Sequence, residues 1–434
     1  MEPITVVGAG LAGCEAAWQL AQRGHTVILR EMKPEKMTPA HHSPAFGELV
    51  CSNSLRSDRM ENAVGLLKEE MRRLDSLILA CADVTRVPAG GALAVDREGF
   101  SARITDMIRC HPQITVEPGE TEEIPADPCI IATGPLTSDA LAESIAAFAG
   151  TGLHFYDAAA PIVYKDSLDM SRVYAASRYG RGEDYLNCPM TREEYFTFYR
   201  ALIEAETAPL HSFETPRVFE GCMPVEIMAK RGELTLAYGP MKPVGLEING
   251  VMPFAVVQLR QDDKDGRMYN LVGFQTNLKF PEQKRVFGLI PGLEHAEYAR
   301  YGVMHRNTFL ASPGFLNWDY SVRKRPLLYF AGQMTGVEGY VESASSGLLA
   351  ALSLHEKLSG RESVDFTDKT AIGALGHYVA EYAGKDFQPM NVTFGIMAPL
   401  EKRIRNKQQR CAAIAERALT ILAEKREILS HPLV

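Results

Sequence analysis

The chain opens on a short β-branched run, Ile4-Thr5-Val6-Val7, that gives way at once to Gly8-Ala9-Gly10-Leu11-Ala12-Gly13. Beyond the glycines, apolar Ala16, Ala17 and Leu20 predict a helix over Cys14 to Arg23, stopped by Gly24. Thr26-Val27-Ile28-Leu29 predicts a second strand closing at Arg30-Glu31. An irregular stretch from Lys33 to Leu49 follows, and amphipathic spacing then predicts helices, notably over 63–79. Cys129-Ile130-Ile131-Ala132-Thr133-Gly134 reads as a buried strand ending in a tight turn, with a helix over about 138–148 behind it. Between about Asp157 and Gly314 the pattern changes. Short strand-like pieces (RVFEG, LTLAYG, FAVVQL, MYNLVGFQ) alternate with Gly, Pro and Asp turns. Leu327 to Gly332 is again a buried strand meeting a glycine, and a helical tail runs from roughly Gly347 to Leu358 and beyond.

Strand, glycine loop, helix, strand and terminal acid in that order are far more specific than a lone G-x-G-x-x-G. Gly8 permits the tight exit from the strand. Gly10 lets backbone amides approach a pyrophosphate, and Gly13 lets the helix pack closely on the sheet. Ala9, Leu11 and Ala12 complete a loop whose helix start offers N–H groups to phosphates. Glu31 is placed to accept hydrogen bonds from the adenosine ribose. Two later features point to FAD: the Ala132-Thr133-Gly134 strand end, and Ala331-Gly332-Gln333 leading into Gly336-Val337-Glu338-Gly339-Tyr340. There a late strand returns to set a second helix start near the flavin, with Gly332, Gln333, Gly339 and Tyr340 as the expected contacts. The expected fold is α/β: a glutathione-reductase-like FAD-binding Rossmann domain formed by 1–156 and 315–434, with an inserted α+β domain at 157–314.

A length of 434 residues, beyond one ordinary core, agrees with two domains. The net charge of −8 argues against a generic polyanion binder, so nucleic acid binding would need locally concentrated cations. Two places supply them: Arg323-Lys324-Arg325, and Lys402, Arg403, Arg405, Lys407 and Arg410. Taken alone, each is an ordinary solvated patch. No apolar run approaches the length of a membrane span, and Met1-Glu2-Pro3 lacks the basic start of a signal peptide, so a soluble, cytoplasmic protein is expected. The eight cysteines show no C-x-x-C and no pairing with histidine, which argues against structural zinc, a dithiol motif or a disulfide scaffold. Adjacent His41 and His42 lack a second ligand pair, and no metal is expected.

The segments GAGLAGCEAAWQLAQRG, FGELVCSNSLRSD, AVGLLKEEM, FEGCMPVEIMAKRG, NLVGFQTNLKFPEQKRVF, MHRNTF and FAGQMTGVEGYVESASSG closely resemble the folate- and FAD-dependent tRNA (uracil-5-)-methyltransferases. QPMNVTFGIM extends the match, so nearly the whole chain is covered. CSNSLRSD and EGCMPVEIMAKRG are the specific parts; the glycine loop is common to many flavoproteins. The resemblance implies conversion of the T-loop uridine of tRNA to 5-methyluridine, with the carbon taken from 5,10-methylenetetrahydrofolate. It also implies a flavin that relays the one-carbon unit and is reduced again by NADH or NADPH.

That reaction sets requirements. Carbon-5 of uracil is a poor nucleophile until a thiolate adds to C6, and a base must later remove the C5 proton. Cys222, in the Gly/Pro-flanked turn Glu220-Gly221-Cys222-Met223-Pro224 with Lys230 and Arg231 nearby, is the first choice for the thiol. Cys51, followed by Ser52-Asn53-Ser54, is the second; its alternatives are the proton-abstracting group or a flavin-side residue. Without the resemblance, either cysteine reads as a small buried hydrophobe. His305, Arg306 and Asn307 are candidates for folate, by pterin stacking and carboxylate pairing, or else for a junction hydrogen-bond cluster. Glu338 and Glu342 are acid/base candidates beside the flavin, or else surface or capping residues. Lys402, Arg403 and Arg405 are the expected tRNA contacts. Competing readings are the related FAD-dependent subunit that modifies wobble uridines, which is longer, and a small-molecule flavin oxidoreductase.

Overall fold

The computed structural model describes residues 2–38, 40–150, 152–208, 223–248, 250–384, 387–402 and 404–429, without the side chains of 152–158 and 305–308. In chain order its first part runs β1 (Ile4–Val7), α1 (Leu11–Gln22), β2 (Val27–Glu31), β3 (Ser54–Ser57), α2 (Ala63–Arg73), α3 (Leu77–Val84), β4 (Arg86–Val87), β5 (Ala92–Val95), α4 (Arg97–Arg109), β6 (Ile114–Pro118), β7 (Cys129–Ile131) and α5 (Asp139–Ala149). The middle follows with β8 (Gly152–Ala158), β9 (Ile162–Tyr164), β10 (Tyr174–Ala175), β11 (Tyr185–Met190), α6 (Arg192–Glu204), α7 (Val225–Lys230), α8 (Thr235–Tyr238), β12 (Ala255–Gln261), β13 (Met268–Leu271), α9 (Phe280–Phe287), β14 (Tyr298–Arg300) and β15 (Met304–Leu310). The last part is β16 (Ser321–Val322), β17 (Arg325–Phe330), α10 (Tyr340–Leu358), α11 (Ala371–Glu381) and α12 (Lys407–Leu429).

Strands from both ends of the chain share one six-stranded sheet, ordered β16-β17-β7-β1-β2-β6. All its pairs are parallel except β16 with β17. Val6, Val7, Leu29, Ile130, Ile131 and Phe330 are buried because helices cover the sheet, as parallel sheets require. The chain leaves β1 toward β2 and later returns to β7 on the other side, so the switch point lies between β1 and β7. A second six-stranded sheet, β10-β11-β12-β13-β9-β14, is antiparallel. It has its own apolar cluster, in which Tyr195, Phe198, Phe274 and Phe287 pack beneath Val257 and Leu259. The β8–β15 pair and the small β3-β5-β4 sheet complete the pairing. The fold is the expected α/β arrangement with an α+β insertion.

Three local expectations need correction. The stretch 63–79 is two helices, broken at Asp75 (φ 59°). The break is imposed by tertiary structure: the buried Glu15 carboxylate of α1 accepts hydrogen bonds from Ser76 Oγ (2.6 Å), Leu77 N (3.2 Å) and Ile78 N (3.0 Å), capping a new helix start. LTLAYG is not a strand; it holds α8, whose adjacent Leu236 and Ala237 are both buried, a placement alternation cannot produce. The late helix starts at Tyr340 rather than Gly347, because its Ser- and Gly-rich first turns lie against α1. A Cβ on Gly347 would sit 2.1 Å from the Ala12 carbonyl oxygen. RVFEG lies outside the described residues.

Candidate functional site

The C-terminal edge of the parallel sheet presents two helix starts on the same side, α1 after β1 and α10 after β17. At the first, Gly8 has φ 97° and lies so close to β7 that a Cβ would meet Ala132 O at 2.7 Å. A Cβ on Gly13 would fall 1.8 Å from Gly8 O, whereas one on Gly10 would meet nothing within 4 Å. Two glycines are thus demanded by packing, and the third faces open space. No side chain caps the start of α1, and its first turn carries no acid. Its amides and partial positive charge therefore face a cleft lined by Gly8, Gly10, Glu31, Thr133, Thr137 and Ser138, among others. Glu31 is buried at the end of β2 and accepts from Ala9 N (2.6 Å) and Lys33 N (2.9 Å). Open space over Gly10, an uncapped helix start and an acid at the end of β2 fit the pyrophosphate and ribose of a dinucleotide.

At the second helix start, Gly332 (φ 85°) donates its N–H to Ser346 Oγ (2.7 Å). Gln333 is held by the buried Glu338 carboxylate at 2.6 Å. Gly339 (φ 111°) leads into α10, where a Cβ would meet Glu342 Oε2 at 2.4 Å. Glu342 is fully buried; its Oε1 accepts from Arg56 and from Val392 N (3.0 Å), and Oε2 has no hydrogen-bond partner. Glu342 is thus no surface residue.

Tyr340, the first residue of α10, brings Cys51 to this edge across 289 positions of sequence. Its hydroxyl accepts from Cys51 N (2.8 Å) and Ser52 N (3.2 Å) and lies 2.9 Å from Cys51 Sγ. Burial pushes the Tyr340 phenol well above its ordinary range, so it keeps its proton. Asn53 ties the segment to the small β3-β5-β4 sheet and to the antiparallel sheet, donating to Val95 O and Gln261 O (2.9 Å each).

Three arginines that no sequence motif marks converge here. Arg97 of α4 donates to Leu49 O and forms a two-pronged pair with Asp262 (2.9 and 3.1 Å). Arg260 of β12 is buried and reaches Asn53 Oδ1 (3.0 Å) and Ser52 Oγ (2.6 Å). Arg300 of β14 donates to Ala40 O (3.1 Å), and its buried Nε has no hydrogen-bond partner. Burial pushes both Arg260 and Arg300 below the usual guanidinium range. By contrast, the thiols of Cys81, Cys129 and Cys188 are pushed up by burial, to about 11, 12 and 12. Those three are inert packing residues.

The remaining candidates divide. Cys222 and Arg403 lie outside the described residues. His305, Arg306 and Asn307 pair through their backbone with Asp157, Tyr156 and Phe155 on the β8–β15 ribbon. Lys402 and Arg405 are exposed just before α12. In the other basic patch, Arg325 is tied to Asp127 (3.0 Å) and Pro125 O (2.7 Å), and Arg323 to Leu316 O (3.1 Å), so two of its three cations are structural. His41 Nδ1 lies 2.6 Å from Thr38 Oγ1, and no group of three or more metal-binding side chains occurs among the described residues. Among the described residues, no helix is long and apolar enough to cross a membrane.

A family model described as glucose inhibited division protein A matches residues 3–362. A methylenetetrahydrofolate–tRNA-(uracil-5-)-methyltransferase TrmFO of Bacillus licheniformis is 60% identical over 422 residues, which cover 96% of this chain and 97% of the relative. The chain belongs to the methylenetetrahydrofolate–tRNA-(uracil-5-)-methyltransferase family. Another member of that name, from Acetivibrio thermocellus, is 59% identical over 426 residues, 97% of this chain and 98% of its own. Among solved structures, Aquifex aeolicus GidA aligns with a TM-score of 0.71 at 14% identity, over 98% of this chain and 73% of that one. A second crystal form of GidA gives 0.69 at 16% identity, over 98% and 78%. At such identity the likeness shows the shared fold, and the far more similar full-length relatives carry the family.

Proposed function

We propose that this chain methylates C5 of the T-loop uridine of tRNA, taking the carbon from 5,10-methylenetetrahydrofolate with FAD as cofactor. The observation that carries the reading is the meeting of Cys51 and Tyr340 at the edge where both helix starts emerge, in a chain about 60% identical to enzymes named for this transfer. Gly8 to Gly13 and Glu31 would hold the adenosine and pyrophosphate of FAD. Gly332, Gln333, Gly339 and Tyr340 would line its flavin end. When bound, reduced flavin supplies the one-carbon relay and the reducing equivalents that methylenetetrahydrofolate at the formaldehyde level requires. NADH or NADPH would restore the reduced state.

The protein's own part is nucleophilic and acid–base. One cysteine thiolate adds to uracil C6 and makes C5 nucleophilic, and a base then removes the C5 proton so that the adduct collapses. Cys222 is assigned the addition, and Cys51, beside Tyr340, the proton chemistry. His305, Arg306 and Asn307 are assigned to folate, and Lys402, Arg403 and Arg405 to tRNA. Separate apolar clusters around the two large sheets support a substrate and tRNA domain at 157–314, between the two parts of the FAD domain. The site of action is the cytoplasm.

The deciding experiment follows labelled carbon from methylenetetrahydrofolate into T-loop uridine with the flavin kept reduced; no incorporation overturns the reading. The thiol assignment is tested with 5-fluorouridine-containing tRNA. A covalent adduct should form with Cys51→Ala and vanish with Cys222→Ala, and the reverse result exchanges the roles.

A further inference from the structure

Buried guanidinium groups are costly without countercharge. Arg97 has Asp262, but neither Arg260 nor Arg300 has a carboxylate in ion-pair range among the described residues. Arg260 grips the side chains of Ser52 and Asn53, next to Cys51, and Arg300 holds the preceding loop at Ala40. Arg97 holds the carbonyl of Leu49 on the other side. Cys51 lies within electrostatic reach of all three arginines and of Tyr340.

Hydrogen-bond counting at Tyr340 says what form Cys51 takes. The phenol oxygen already accepts from two backbone N–H groups, those of Cys51 and Ser52. Its single O–H proton remains, and Cys51 Sγ stands 2.9 Å away. The sulfur is therefore the acceptor. A thiol is a weak acceptor and a thiolate a strong one, so a phenol O–H given to this sulfur favours the anion.

We propose that Cys51 rests as a thiolate, with the Tyr340 hydroxyl as its hydrogen-bond donor and Arg97, Arg260 and Arg300 as its countercharge. Cys51 would then accept a proton without prior activation, and Tyr340 would stand ready to receive or return one. The three arginines are positioning residues that act through the sulfur. The catalytic meaning of the thiolate rests on the methyl-transfer reading, but its existence does not.

Alkylation by iodoacetamide as a function of pH, read peptide by peptide by mass spectrometry on the full chain with its cofactor complement, tests this. Exposed Cys110 serves as reference within the same chain. The Cys51 inflection should lie at least about one pH unit below the ordinary thiol range near 8.5, a tenfold gain in thiolate. Arg260→Met, Arg300→Met and Tyr340→Phe should each move it up, while Arg260→Lys, which keeps the charge, should largely restore it. Where the reagent does not reach Cys51, the thiolate ultraviolet absorbance that disappears in Cys51→Ser reports the same titration. If one arginine variant fails to fold, the other and Tyr340→Phe still decide. An inflection coinciding with that of Cys110, or one unmoved by all three variants, overturns the proposal. A chain with the low inflection that transfers no carbon to tRNA keeps this inference and sinks the function; the converse result does the opposite.

Discussion

Replacing Gly13 with alanine places a Cβ 1.8 Å from Gly8 O, where ordinary contact begins at 3.4 Å. The start of α1 must then withdraw by about 1.6 Å, a backbone displacement rather than a rotamer change. It cannot withdraw freely, because Gly347 of α10 already lies against the Ala12 carbonyl, where even a Cβ would stand at 2.1 Å. Overpacking of this kind costs roughly 1–3 kcal/mol, or a fall of about 1–3 °C in Tm for a chain of this size. The same shift misaims the amides over the cleft, and the loss of one charge-assisted hydrogen bond, about 1.5–3 kcal/mol, weakens cofactor binding at least about tenfold. Gly10→Ala is the matched control. Its added methyl meets nothing within 4 Å and its φ of −75° suits alanine, so Tm of the cofactor-free chain should not change. FAD affinity should nonetheless fall, because that open space is the path proposed for the phosphates. Flavin content after purification, a fluorescence titration of stripped chain with FAD, and thermal unfolding measure all three quantities. Gly13→Ala with unaltered Tm and flavin content would refute the packing argument. Gly10→Ala with undiminished FAD affinity would remove the pyrophosphate from this loop.

Glu70, fully buried, accepts from Ala371 N and Ile372 N (2.8 Å each) and so caps α11 from a distance; Glu70→Ala should cost about 1–3 kcal/mol in denaturant unfolding. Burial raises its carboxyl to about 7 from 4.5, so the folded chain holds a proton that the unfolded chain releases. Stability from this group is present below 4.5 and declines as pH rises toward 7, by roughly 3 kcal/mol in all; the stability gap between the original chain and Glu70→Ala should shrink over that window, and a constant gap counts against it. Glu31→Gln leaves one of the Ala9 and Lys33 amides facing an NH₂ group; FAD affinity should fall roughly tenfold with little change in α1 stability, measured by titration and circular dichroism. Neutralising exposed Lys402 and Arg405 should weaken tRNA binding and flatten its log–log salt dependence by roughly 0.7–0.9 for each phosphate no longer neutralised; an unchanged slope removes this stretch from the interface.

The βαβ unit, its glycine loop and Glu31 were legible because they are local: each residue's task is set by neighbours within about thirty positions, and only glycine meets the tightest of them. The strands at 129–131 and 325–330 and the helix after Ser138 were legible for a similar reason, since buried parallel strands declare themselves as unbroken apolar runs. Three features depended on partners far apart in sequence. The helix break at Asp75 is made by Glu15, the cap of α11 by Glu70, and the burial of α8 by its neighbours in the second sheet. None of these partners has a sequence signature, because a buried carboxylate facing a distant helix start looks like any surface acid when read linearly. The same holds at the site. Resemblance marked Cys51 as a candidate, but only the fold joins it to Tyr340 and encloses it with Arg97, Arg260 and Arg300, one from a helix and two from separate strands. Local sequence determined where a dinucleotide can bind; tertiary structure decided which charges surround the sulfur, because electrostatic interaction depends on distance in space and not along the chain.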